Sequence, residues 1–110
     1  MRNVIISFGL ASRSELGPHA EDEMQRRRED IYGAVFSWGP AWTGGQAAVF
    51  VQTDISVDEI MDRLLPLVGG ADSLLAVEID SSSAVRYAGW LVDAENFEPL
   101  FPGALRVGQP

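Results

Sequence analysis

Few residues in this chain are equipped for chemistry: the acids Asp54, Glu78 and Asp80, the triplet Arg26-Arg27-Arg28, the single histidine His19, and the serines Ser81, Ser82 and Ser83. Asp54 would suit a metal ligand or a general base. It stands two residues before a helix N-cap, however, where a turn residue is the expected role. Glu78 and Asp80 are two apart and share one face of a strand, as solvated edge carboxylates do. The arginine triplet fans around a helix, and Asp22 with Arg26 and Glu23 with Arg27 are i,i+4 pairs, which predicts a charge-balanced solvated face. His19 follows Pro18 with no nucleophile or metal companion and is expected at the surface. The serines lie in a loop without the nucleophile-elbow pattern, and no phosphate-binding glycine loop is present. No catalytic residue, metal ligand or cofactor site is assigned on these grounds.

The aromatic residues carry more information. Trp38 and Trp42 flank Gly39-Pro40 near a hairpin end, where both rings do not easily reach a core. Trp90, Phe97 and Phe101 crowd into the last third of the chain. Tryptophan is enriched at interface hot spots, so Trp38, Trp42, Trp90, Phe97 and Phe101 are the candidate partner-binding set. The alternative is that these rings cover an otherwise bare sheet face.

The elements that must position these residues are those of one domain spanning 1–110, with a core over about 3–80 and a C-terminal strand and tail over 84–110. Val4 to Leu10 is a nearly continuous apolar strand. A helix over Pro18 to Tyr32 has acids early and arginines late, with Ala20, Met24, Ile31 and Val35 facing inward. Ala34 to Trp42 and Gln46 to Thr53 read as a hairpin of two strands reversing at Thr43-Gly44-Gly45. Ser56 and Glu59 form a capping box opening a helix whose apolar stripe is Ile60, Met61, Leu64, Leu65 and Val68. Pro66 predicts a distorted last turn. Asp72 to Asp80 is a fourth strand and Val85 to Val92 a fifth.

This order predicts an α+β, ferredoxin-like βαββαβ sandwich: one antiparallel sheet, two helices on one face, and an added C-terminal strand. With the first and third strands as parallel central neighbours, Gly9 and Asp54 emerge at one end and Asp80 at the other. A three-acid site is then not expected.

Composition sets the remaining bounds. Of 110 residues, 46% are hydrophobic and 22% charged, as in globular proteins. No apolar run reaches the roughly 18 residues of a membrane span, and no signal peptide is evident, so a cytoplasmic protein away from membranes is expected. The absence of cysteine excludes disulfides and thiol catalysis. The formal charge is −8 and all eight basic residues are arginine. Such a balance repels phosphate backbones, arguing against direct nucleic-acid binding and for attraction of a basic protein partner.

The segment VFVQTDISVDEIMDRLLPLVGGADSLLAVEID resembles the small CRISPR-associated adaptation-subunit family and its VapD-like and SinR-like ferredoxin-fold relatives, in which a strand runs into Thr-Asp, a capped helix follows and an Asp-x-Leu-Leu strand comes next. The likeness extends more loosely over about residues 3 to 80. It implies a homodimer joined through sheet edges, with Val85 to Val92 suited to complete a partner's sheet. Members that are metal-dependent nucleases keep an aspartate at the end of the first strand, commonly after tyrosine. Here those positions are Phe8 and Gly9, and glycine offers no oxygen ligand for magnesium. The expected function is therefore non-catalytic: a homodimer that acts by binding another protein. The alternatives are an acidic, nucleic-acid-mimicking inhibitor of a nuclease or CRISPR-type defence complex, and an endonuclease with altered ligands.

Overall fold

The computed structural model describes residues 1–43, 48–80, 84–88, 91 and 93–107. Strand β1 (Arg2–Gly9) leads through a 3-10 segment (Ser14–His19) into helix α1 (Ala20–Phe36). The short β2 (Ala41–Trp42), β3 (Ala48–Thr53), α2 (Val57–Leu64) and β4 (Ser73–Ile79) follow. After them come β5 (Arg86–Tyr87), α3 (Ala94–Leu100) and β6 (Leu105–Arg106). The result is a mixed α+β architecture around a four-stranded antiparallel sheet of order β2-β3-β1-β4.

Alternation along the strands decides the core. Val4, Ile6 and Phe8 of β1 and Val49 and Val51 of β3 point to one face, where Ile31 and Val35 of α1 and Ile60 and Leu64 of α2 meet them. Each such fully buried aliphatic side chain contributes roughly 1.5–3 kcal/mol. Ser56 caps α2 as expected, its hydroxyl accepting from the Glu59 N–H at 3.2 Å. Pro66 turns the helix end into a 3-10 turn (Leu65–Leu67), which leaves Leu65 exposed although it belongs to the apolar stripe by spacing.

Three expectations are corrected. First, α1 continues to Phe36, and the residues read as the opening of a strand from Ala34 are helical. Val35 lies four residues after Ile31 and is fully buried, so the helical stripe captures it. Second, β1 and β3 are antiparallel, with Arg2 opposite Thr53 and Ser7 opposite Ala48. Helix α1 returns the chain along the sheet, β2 runs in the direction of β1, and β3 opposes both. Asp54 therefore lies at the Arg2 end of β1, away from Gly9. Since β4 also opposes β1, with Asn3 facing Ile79, Asp80 shares the Asp54 end. Third, the C-terminal strand is reduced among the described residues to Arg86–Tyr87, which pairs parallel with β6 in a separate two-stranded sheet. The expected reversal at Gly44 and Gly45 and the ring of Trp90 lie outside the described residues.

Gly39 explains how β2 reaches the sheet. Its φ is 152° and a Cβ there would stand 2.1 Å from the Gln52 carbonyl oxygen. The same approach lets the Gln52 N–H donate to the Pro40 carbonyl at 2.8 Å. Only glycine fits this crossing.

Candidate functional site

The open face of the sheet, away from α1 and α2, is half covered by the C-terminal segment. Trp42 and Phe50 sit opposite each other on β2 and β3 and project to this face. Phe97 of α3 packs edge-on against Trp42 with ring centroids 4.8 Å apart, and Phe101 against Phe50 at 5.2 Å. Tyr87 of β5 approaches Phe97 at 5.5 Å. Trp42, Phe97, Leu100 and Phe101 form a second buried cluster, with Phe50 and Ile79 beside it. Between this wall and the sheet lies an apolar cavity of about 450 Å³, which Arg86 also lines.

The other half of the open face stays bare. Leu75 and Val77 of β4 are 58% and 42% exposed. They face Ser7 and Ile5 across the β1–β4 ladder. Among the described residues no strand pairs with the outer edge of β4. That edge carries neither proline nor lysine, and Glu78, its one charged residue, is engaged by Arg2 Nε at 3.0 Å. Proteins normally protect an exposed edge with such residues, so seven residues of unguarded strand ending a sheet are a candidate pairing surface.

A polar cluster lies at the Gly9 end. The Asp72 carboxylate, 3% exposed, accepts from the Ala11 N–H, the Gly69 N–H and Arg27 Nη1, each at 2.7 Å. Arg27 also donates to the Ala11 carbonyl at 2.8 Å, and its Nε lies 2.8 Å from Glu23 Oε1 without hydrogen-bond alignment. Arg13 reaches the same Glu23 oxygen at 3.2 Å. The Gly69 N–H bond, helped by Ala11 and Arg27, holds the Asp72 carboxyl below the ordinary aspartate range against the opposing effect of burial. For Arg27, burial opposes the charge but the carboxylates of Asp72 and Glu23 outweigh it and raise its pKa. These contacts tie β1, α1 and the loop before β4 together. The expectation of a fully solvated arginine face is thus corrected at Arg27, whose i,i+4 partner Glu23 is found but buried with it.

The acids singled out in the sequence do come to one end of the sheet, contrary to the separation expected for Asp54 and Asp80. They are nonetheless engaged structurally. Asp54 lies 3.8 Å from the N-terminal amine and its carbonyl accepts from Arg2 at 2.7 Å. Among the described residues no three His, Asp or Glu side chains are grouped to hold a metal ion. At Gly9 a Cβ would stand 2.7 Å from the Ser73 hydroxyl, so the strand tip is a close approach between β1 and β4. His19 is exposed at the end of the 3-10 segment.

Of the aromatic set, Trp42, Phe97 and Phe101 are inside the molecule's own second cluster. Trp38 is half-buried against the main core, with the Arg63 guanidinium 5.7 Å from its ring centre. Both rings beside Gly39-Pro40 therefore find internal packing, which corrects the expectation that they do not easily reach a core. Sequence reasoning missed Phe50, Tyr87 and Arg86. Phe50 was legible in principle, since it alternates with Val49 and Val51; Tyr87 and Arg86 depend on where the tail folds.

No protein-family model, curated protein or solved structure matches this chain. Among the described residues no helix is long and apolar enough to cross a membrane.

Proposed function

We propose that this chain is a ferredoxin-like, non-catalytic protein that pairs with a second copy along β4 and acts by binding another protein. The strand order β2-β3-β1-β4, with a helix after β1 and another after β3, supports the ferredoxin-like part of that reading. The observation that carries it is the unguarded β4 edge with Leu75 and Val77 exposed beside it. A two-fold axis through Ala76 sets Leu75 of each copy opposite Val77 of the other, on the bare face. Two sheets then continue as one, and main-chain hydrogen bonds add to apolar contact. The resemblance to the CRISPR-associated adaptation-subunit, VapD-like and SinR-like proteins supports the same reading, because those relatives dimerise through sheet edges. Gly9, set against Ser73, supports a role without strand-end metal chemistry. The experiment is solution mass at tens of micromolar for the wild type and for L75K/V77K, which adds like charges at the paired positions. A dimer converted to a folded monomer is expected; a wild-type monomer would remove the reading.

A second reading, nucleic-acid mimicry, is favoured by the helix layer. Glu21, Asp22, Glu29 and Asp30 of α1 and Asp58, Glu59 and Asp62 of α2 are all exposed on the helices that cover one sheet face. A basic groove is attracted to such a layer at long range. Its test is inhibition of purified nucleases and defence complexes by the wild type, weakened by D58R/D62R. Equal inhibition by both proteins, or none by either, counts against mimicry.

A further inference from the structure

We propose that the cavity between the open sheet face and the C-terminal segment is a binding site for a small amphipathic carboxylate. Its hydrocarbon or aromatic body would lie among Trp42, Phe50, Phe97 and Phe101, and its carboxylate on Arg86. The size is that of a small-molecule site: about 450 Å³, within the roughly 300–1,000 Å³ such sites occupy. The walls are almost wholly apolar, contributed by Ile5 and Phe50 from the sheet and by Leu91, Phe97 and Phe101 from the tail. Rigid rings set edge to face hold that space open, since Trp42, Phe97 and Phe101 are each locked against a neighbouring ring.

Charge selects the head group. Among the described residues Arg86 is the one charged residue lining the cavity, and it is exposed. Its Nη1 donates to the Val85 carbonyl at 2.9 Å, and among the described residues no carboxylate pairs with it. Arg2, Arg13, Arg27 and Arg63 each have an acidic partner; among the described residues Arg26 and Arg28 form no such pair but lie on α1, away from the cavity. A guanidinium has five donors in a planar fork, suited to two-point bonding of a carboxylate. A chain of charge −8 repels anions in general. Binding of an anion here therefore depends on this local cation together with an apolar body, and a small inorganic anion lacks the second requirement.

The test uses three probes with one tail and different heads: decanoate, decanol and decyltrimethylammonium, below their micelle concentrations, followed by calorimetry and by intrinsic tryptophan fluorescence. Decanoate is expected to bind about two- to fivefold more tightly than decanol, with the cation weakest, because a pair with an exposed guanidinium is screened by water. R86Q is expected to remove the preference while leaving decanol affinity unchanged. A48L, which fills the sheet side of the cavity, should weaken all three. Equal affinity for the three heads, or an unchanged preference in R86Q, would overturn the assignment of Arg86. No binding by any probe to the folded wild type would overturn the site. L75K/V77K lies outside the cavity lining and should bind decanoate like the wild type, so the outcome is independent of pairing along β4.

Discussion

Replacing Asp72 by asparagine tests how the Gly9 end of the molecule is held together. The carboxylate has three donors at 2.7 Å: the Ala11 and Gly69 N–H groups and Arg27 Nη1. Oδ1 serves Ala11, and Oδ2 serves both Gly69 and Arg27. Asparagine has one acceptor oxygen. In one orientation its amide NH2 faces Gly69 and Arg27, and in the other it faces Ala11. Either way a buried N–H loses its acceptor and meets a donor, which costs about 1–3 kcal/mol. The ion pair with Arg27 is also lost at a site where the Asp72 side chain is only 3% exposed. Removing one partner of a buried pair costs about 3–5 kcal/mol; Glu23 remains beside Arg27, which places the total near the low end, about 3 kcal/mol. In urea, at about 1–3 kcal/mol per molar, the midpoint should fall by roughly 1–3 M.

The pH dependence follows from the same contacts. The Asp72 carboxyl titrates below its ordinary range when folded. Its stabilisation is therefore fully present above the unfolded aspartate value of about 3.9 and fades as pH falls through the folded value. The gap between wild type and D72N should be constant from pH 8 to about 5 and narrow below about 4. A D72N protein within about 0.5 kcal/mol of wild type at pH 7, or a gap that widens in acid, would refute this assignment.

Other substitutions probe single elements. Gly39→Ala forces a side chain at a positive φ against the Gln52 carbonyl; by chemical denaturation it should cost about 1–3 kcal/mol and weaken β2 pairing first. Ser56→Ala removes the cap on Glu59 and should cost about 1 kcal/mol, measurable as a lower thermal midpoint.

Much of the main sheet was legible because its strands alternate or run apolar. Val4, Ile6 and Phe8, and Val49 and Val51, lie on the two strands read from the sequence and reach the main core, and the Ser56–Glu59 cap starts α2 where expected. The end of α1 was misread because a short apolar run such as Ala34–Phe36 fits either period. In the sequence Val35 is placed both on the inner face of the helix and in a strand starting at Ala34; Ile31, one turn earlier, decides for the helix. The placement of Asp54 failed on strand direction, which the order of elements does fix: the crossover through α1 sets β2 parallel to β1, and β3, antiparallel to β2, opposes both. Arg27 was hidden for another reason: a triplet of arginines among acids looks solvated, and the acid that draws Arg27 inward is Asp72, 45 residues away. The cavity depends on the tail folding across Phe50 and Ile79, a long-range event that the aromatic composition of the tail hints at without locating.

The central claim is pairing along β4, and sedimentation or light-scattering mass tests it most directly when wild type and L75K/V77K are compared at equal concentration with circular dichroism as the control for folding. The account predicts a wild-type dimer and a folded, monomeric variant. A monomeric wild type, or a variant that remains dimeric, would contradict it.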